Sequence, residues 1–330
     1  MRSFIHIHAL TVEEACTLLR RHKGKAALNA GGTDLLSTLK GEHLFDYPEA
    51  VINIKTIPGF DEIREEGDLL KIGALTKLSE IAKSPLLMEK YSILSEAAGT
   101  VASPQVRNVA TLGGNLCQDV RCWYYRYPRH IGGPLMCARK GNGPCLAVKG
   151  DNRYHAVMEA KKCFAVCPSD MAVALAALDG QIIVAGPKGQ RRVAVTDFFR
   201  PLGNALKSGE MVTEIEAPRV TGPVKQKFLK FTLRNPIDFA IVSVASVLTV
   251  TEGVCRVARI VLGGVAPAPF RARAAEELMT GQTIDEVLAD EAAKKALACA
   301  KPLSRNGYKI EIAKVLVKRA ILANEKGFSL

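Results

Sequence analysis

Six of the nine cysteines lie between Thr111 and Asp170, at Cys117, Cys122, Cys137, Cys145, Cys163 and Cys167. Cysteine thiolates bind soft metals and iron–sulfur clusters. The spacing contains no C-x2-C pair, which argues against a zinc ribbon or finger. The compact ferredoxin run is also missing, but an all-thiolate cluster needs only four sulfurs that converge in space. Glycine turns precede two of the thiols: Gly132-Gly133-Pro134 before Cys137, and Gly141-Asn142-Gly143-Pro144 before Cys145. A loop wrapped around a cluster needs such turns. The competing reading is a scatter of buried or free cysteines, and spacing alone leaves both open. Cys16, Cys255 and Cys299 sit in apolar periodic segments and read as core.

A second kind of chemistry adjoins the first. Thr111-Leu112-Gly113-Gly114-Asn115-Leu116-Cys117 is a glycine turn, and Asn29-Ala30-Gly31-Gly32-Thr33-Asp34-Leu35 has the same signature about eighty residues earlier. A strand, paired glycines and then a helix is a geometry that presents backbone N–H groups to an anion. Two such turns can hold one pyrophosphate from both sides. Neither is a G-x-G-x-x-G dinucleotide fingerprint with its trailing acidic residue, and neither is a Walker loop. The six histidines are dispersed with no H-E-x-x-H pair, and there is no G-x-S-x-G elbow. The sequence therefore offers cofactor cradles without a catalytic triad, which favours electron transfer over substrate chemistry on this chain.

Length and charge frame these sites. At 330 residues, two or three domains are expected. Lys plus Arg number 45 against 33 Asp plus Glu, a net charge of +12. That balance reads as a solvated basic surface or as docking to an acidic protein. The basic residues do not interleave with stacking aromatics, so nucleic acid is not expected. The longest apolar run, Phe239 to Val250, is too short to span a bilayer. The start of the chain has no signal-peptide apolar region, and a cytoplasmic site with reduced thiols is expected.

The elements that would position these groups follow in order. Thr11-Val12-Glu13-Glu14 has capping-box spacing and opens a helix toward Arg21. Strands are expected at 26–28, 51–54 and 69–72, and helices at 35–40, 77–83 and 85–98. An apolar helix is expected over Met171–Leu178, then strands at 181–184, 193–195 and 211–215. Residues 219–224 read as a boundary. Beyond it, 227–233, 239–250 and 254–263 read as a β-meander. Helices follow at 275–279, 283–300 and 306–322, the second with a capping box at Thr283-Ile284-Asp285-Glu286. An antiparallel sheet followed by helices makes an α+β C-terminal domain.

The paired glycine turns resemble those of the FAD-binding medium subunit of the molybdenum hydroxylase (xanthine oxidase) family. Val265-Ala266-Pro267-Ala268-Pro269, running into Arg271-Ala272-Arg273-Ala274-Ala275-Glu276, resembles that family's C-terminal domain. The likeness covers essentially the whole chain. It implies an α+β fold: a two-lobed FAD-binding domain of the vanillyl-alcohol oxidase-like (PCMH) type, plus the C-terminal domain. The lobes would be 1–55 and 56–220, and the C-terminal domain 221–330. It also implies FAD bound by Asn29, Ala30, Gly31, Gly32, Thr33, Asp34 and Leu35, and by Thr111, Gly113, Gly114, Asn115 and Cys117, through backbone amides at the pyrophosphate. Asp170, in Cys167-Pro168-Ser169-Asp170, would contact the flavin nucleotide.

In the family the second turn runs almost directly into that aspartate segment, so roughly 118–166 is an insertion. It resembles the subgroup with the 4-hydroxybenzoyl-CoA reductase β subunit and certain bacterial aldehyde oxidoreductases, whose insertion carries a [4Fe-4S] cluster. The matching ligands are Cys122, Cys137, Cys145 and Cys163, with Cys167 the substitute should Cys163 not serve. The long gap between Cys145 and Cys163 looks more like the aldehyde-oxidising type. The resemblance further implies a large molybdopterin subunit and a small [2Fe-2S] subunit, as a heterotrimer or a dimer of heterotrimers. Ferredoxin or NAD(P) would be the external electron carrier. The alternatives are a self-sufficient flavin oxidase, for which the C-terminal part is too short, and a non-enzymatic assembly subunit.

Overall fold

The structure, a computed structural model, describes residues 1–234 and 237–323. Three main sheets follow one another along the chain. The first is parallel, with Ala50–Asn53 between Ile5–His8 and Ala26–Asn29. The second is antiparallel, in the order Ile63–Glu66, Leu69–Gly73, Met211–Pro218, Gln181–Gly186, Gly189–Ala194. The third is antiparallel, in the order Val224–Phe231, Val242–Thr251, Val254–Gly263, Phe270–Arg271. The fold is thus mixed α and β, with helices packed on antiparallel sheets.

The Asp170–Ala177 helix ties the last two sheets together. Every one of its residues is buried, as the alanine-rich run from Met171 to Ala177, apolar all round, requires. One core joins its Met171, Val173 and Leu175 to Ile182 and Ile215 of the second sheet and to Ala245 and Val261 of the third. The Arg273–Met279 and Tyr308–Leu322 helices pack on the third sheet, and the Glu286–Ala296 helix packs its apolar face against these two. Because Asp170 opens the central helix, the fold places this carboxylate at the junction of the chain's middle and last parts.

Three local expectations need correction. The helix expected over 85–98 is two, Pro85–Lys90 and Ser92–Gly99, broken at Tyr91 (φ −131, ψ 47). Tyr91 is fully buried and its hydroxyl donates to Glu65 Oε1 at 2.9 Å, so the side chain is held in place of a helical turn. Glu65 belongs to the Ile63–Glu66 strand, which is too charged to show an apolar alternation. The helix expected from Thr283 starts at Glu286, with Asp285 Oδ1 accepting from Leu288 N at 2.7 Å. Thr283 instead bridges to Val254. Cys299 is exposed and not core.

Residues 118–166 contain only two short 3₁₀ turns, Arg129–Ile131 and Ala138–Lys140. Polar anchors hold both ends of this segment. At the front, Asp34 accepts from Asp119 N (2.9 Å) and pairs with Arg126 (2.7 Å) and Arg121 (2.9 Å). At the rear, buried Asn152 donates to Ser304 Oγ at 3.1 Å and accepts from Arg305 N at 2.9 Å. Asn306 Nδ2 donates to the carbonyls of His155 and Ala156, both at 3.1 Å.

Candidate functional site

The two glycine turns face one cleft of about 550 Å³, within the size range of small-molecule sites. Of the residues singled out from sequence, Ala30, Gly31, Gly32, Thr33, Asp34 and Leu35 line it, as do Thr111, Gly114, Asn115, Cys117 and Asp170. Asn29 and Gly113 do not line it.

The turns touch at their backbones. A Cβ on Gly31 would stand 2.1 Å from Val109 O and 2.9 Å from Ala110 Cα, so only glycine permits this approach. Gly32 has φ +73, the left-handed conformation that glycine takes freely. The two turns differ in what their amides do. Among the described residues, the N–H groups of Gly31, Gly32, Thr33, Asp34 and Leu35 have no hydrogen-bond acceptor within the protein. In the second turn, Gly113 N–H donates to Ala74 O (2.8 Å), Gly114 N–H to Thr111 Oγ1 (3.2 Å) and Asn115 N–H to Thr111 O (2.8 Å). The first turn is therefore a nest of free donors suited to an anion. The second is a packed floor, and Gly113 lets it sit against Ala74, whose Cβ would be 2.9 Å from an added Cβ.

Asp170 is fixed from two sides. Ser169 Oγ caps its helix at Ala172 N (3.0 Å) and donates to Asn115 Oδ1 (2.6 Å), joining this segment to the second turn. Asp170 Oδ2 pairs with Lys230 Nζ at 2.8 Å, and Lys230 also donates to Thr100 O at 2.9 Å. Both side chains are almost wholly buried and Lys230 lines the cleft. Sequence reading missed Lys230, although it lies in an expected strand. A lysine at an alternating position between Phe228 and Phe231 was the available signal. This cleft, lined by the free amides of the first turn and by a buried, ion-paired lysine, fits a phosphate-bearing flavin nucleotide.

The insertion brings its thiols together beside the cleft. Cys122, Cys137, Cys145 and Cys163 line one small cavity with Tyr124, Tyr125 and Arg139. Cys167 and Cys117 do not line it; they border the flavin-side spaces, where burial pushes each thiol up to about 12. Burial likewise pushes Cys122 up to about 11 and raises Cys163. No three His, Cys, Asp or Glu side chains among the described residues converge enough to hold a single metal ion. The thiols thus surround a space and do not meet at a point. Lys140 Nζ is buried without a hydrogen-bond partner among the described residues; desolvation lowers its pKa, and the Cys137 and Cys122 thiols act against that lowering. Such a set, four thiols and an unpaired ammonium, fits an anionic cluster with one thiolate per iron. His155 Nε2 lies 3.3 Å from Cys122 Sγ. Burial takes that imidazole down to about 4, so it is neutral.

The two sites are adjacent in the chain and in space. Arg121 precedes Cys122, lines the flavin cleft and pairs with Asp34 of the first turn.

Residues 2–220 match the FAD binding domain in molybdopterin dehydrogenase, and residues 227–323 match the CO dehydrogenase flavoprotein C-terminal domain. The chain belongs to this family of FAD-binding medium subunits. It is 34% identical over 325 residues to the aldehyde oxidoreductase FAD-binding subunit PaoB of Escherichia coli, covering 95% of this chain and 96% of that protein. It is 29% identical to the carbon monoxide dehydrogenase medium chain of Hydrogenophaga pseudoflava, covering 95% and 94%. A solved structure of the carbon monoxide dehydrogenase from that organism superposes with a TM-score of 0.79 at 28% identity, covering 98% of this chain and 97% of the other. No helix among the described residues is long and apolar enough to cross a membrane.

Proposed function

We propose that this flavoprotein subunit also carries a [4Fe-4S] cluster on Cys122, Cys137, Cys145 and Cys163, and relays electrons between that cluster and FAD. The observation that carries the reading is the cavity common to these four thiols, with Cys167 excluded from it and the unpaired Lys140 ammonium alongside. FAD, when bound, supplies the one- and two-electron chemistry. The chain itself binds, orients and screens. The free amides of Gly31 to Leu35 receive the pyrophosphate, with Gly32 giving the turn its left-handed bend. Lys230 lines the same cleft, its position fixed by Asp170 and Thr100 O. Phe239 and Arg121, 4.6 Å from ring centroid to guanidinium carbon, close the side toward the insertion.

In this reading the chain works with a large molybdopterin subunit and a small [2Fe-2S] subunit, and substrate is oxidised on the large one. Support comes from the multi-subunit names of its relatives and from the absence of a catalytic triad in the sequence. The similarity to PaoB favours aldehydes as the substrate class. The test is metal and flavin analysis of the chain purified from its source. About four irons and one FAD per chain, with molybdenum in a co-purifying larger subunit, are expected. FAD without iron would end the cluster reading.

A further inference from the structure

The parallel sheet ends in a polar chain that runs to the back of the first glycine turn. His8, Asn29 and Asn53 stand level at the ends of its three strands. Lys55 follows two residues beyond Asn53. Its ammonium donates to Asn53 Oδ1 at 2.6 Å and to the Ala30 carbonyl at 3.1 Å. An ammonium only donates, so Oδ1 is the side of the amide that faces Lys55. Asn53 Nδ2 then donates to His8 Nδ1, 3.0 Å away. Asn53 is 6% exposed, so its amide is a fixed seat for the lysine head.

Two features set Lys55 apart from a surface cation that caps a stray carbonyl. The first is its charge. Partial desolvation lowers its pKa, and no carboxylate among the described residues acts against that lowering. The ammonium therefore stands unneutralised beside the turn. The second is the group it holds. The Ala30 carbonyl and the Gly31 N–H belong to one peptide group, and that N–H is the first of the turn's free donors. The group is planar and trans, so its C=O and N–H point opposite ways. Gly31 lines the cleft and Lys55 does not. A cation at the oxygen end thus keeps the N–H end toward the cleft and polarises the amide into a stronger donor. An anion in the cleft gains from that dipole and from the positive charge behind it.

We propose that Lys55 is a positioning residue for the FAD pyrophosphate, acting from behind the first turn through the Ala30–Gly31 peptide and adding a fixed positive charge there. This rests on the reading above that the free amides of the first turn receive the pyrophosphate. Lys55 itself stays outside the cleft, so its effect reaches the cofactor only through the turn and through space.

The full chain, stripped of its flavin, is titrated with FAD at about 0.02 M and about 0.5 M NaCl. Quenching of flavin fluorescence gives Kd, and circular dichroism checks the fold. Lys55→Met should weaken binding about three- to tenfold at the lower salt. The gap should narrow at the higher salt, where the exposed Lys55 charge is screened. Lys55→Gln, also neutral, should behave as Lys55→Met does. Lys55→Arg keeps the charge and the donors, and should stay within about twofold of the wild type. Wild-type affinity in the neutral variants at the lower salt would overturn the proposal. So would a loss of the same size at both salt levels, or one that Lys55→Arg shares in full, since either marks a structural prop. ADP, which carries the pyrophosphate without the flavin, tests the reading beneath and should displace FAD from the wild type. FAD that stays bound against excess ADP would take the pyrophosphate away from the first turn, whatever the Lys55 variants do.

Discussion

Replacing Gly31 by alanine tests the contact on which the flavin cleft depends. The added methyl carbon would sit 2.1 Å from Val109 O and 2.8 Å from Val109 C. An ordinary carbon–oxygen contact is about 3.3 Å, so the two turns must separate by about 1.2 Å. Both obstructing atoms are backbone and cannot rotate aside. Overpacking of this kind costs about 1–3 kcal/mol. If the strain is relieved by widening the cleft, FAD affinity falls by about 5- to 150-fold. Gly99→Ala is the control, because nothing lies within 4 Å of its added Cβ. Apo-protein is titrated with FAD and the quenching of flavin fluorescence gives Kd, while circular dichroism checks the fold. A Gly31→Ala chain that binds FAD within twofold of the wild type would refute the argument.

Other outcomes follow from the same coordinates. Serine at Cys122, Cys137, Cys145 or Cys163 should each remove about four irons and the associated EPR signal while sparing FAD. Cys167→Ser should keep its iron, since Cys167 lies off the thiol cavity. Lys230→Met leaves Asp170 buried without its partner, a loss of about 3–5 kcal/mol. The thermal midpoint should drop, and Lys230→Met/Asp170→Asn should recover part of it in scanning fluorimetry. Lys309 is buried and its pKa is brought down to about 7 by desolvation. The unfolded chain therefore binds the extra proton between pH about 7 and the ordinary lysine value, so stability rises with pH across that window. Below it the penalty is complete. Lys309→Met should flatten this component when midpoints are compared from pH 7 to 10.

Much of this was legible because it depends on local chemistry. Paired glycines mark close backbone approach, and both glycine turns line the cleft. The apolar run at Met171–Leu178 could only be a buried helix. What stayed hidden depends on distance in sequence. Lys230 is an ordinary strand lysine until the fold brings it 2.8 Å from Asp170, sixty residues away. The different duties of the two turns were unreadable because Ala74, the acceptor for Gly113 N–H, lies on another segment. Asn152 and Asn306, which pin the inserted loop to the C-terminal part, gave no motif to read. Cys299 was misread because an apolar neighbourhood in sequence does not fix which way a residue in the turn beyond a helix faces.

Those pins have a mechanical consequence. The inserted segment is fastened to the first turn through Asp34 at its start, and to residues 304–306 near its end. It is a tie-rod between the opening and closing parts of the chain. Any hinge motion that opened the cleft by swinging the C-terminal helices away would have to stretch this rod, or else carry the thiol cavity along. The amides of Leu36 and Thr38, and those of Lys309 and Ile310, should then gain and lose hydrogen-exchange protection together. Cutting the rod by proteolysis within 129–143 should uncouple them without unfolding either part.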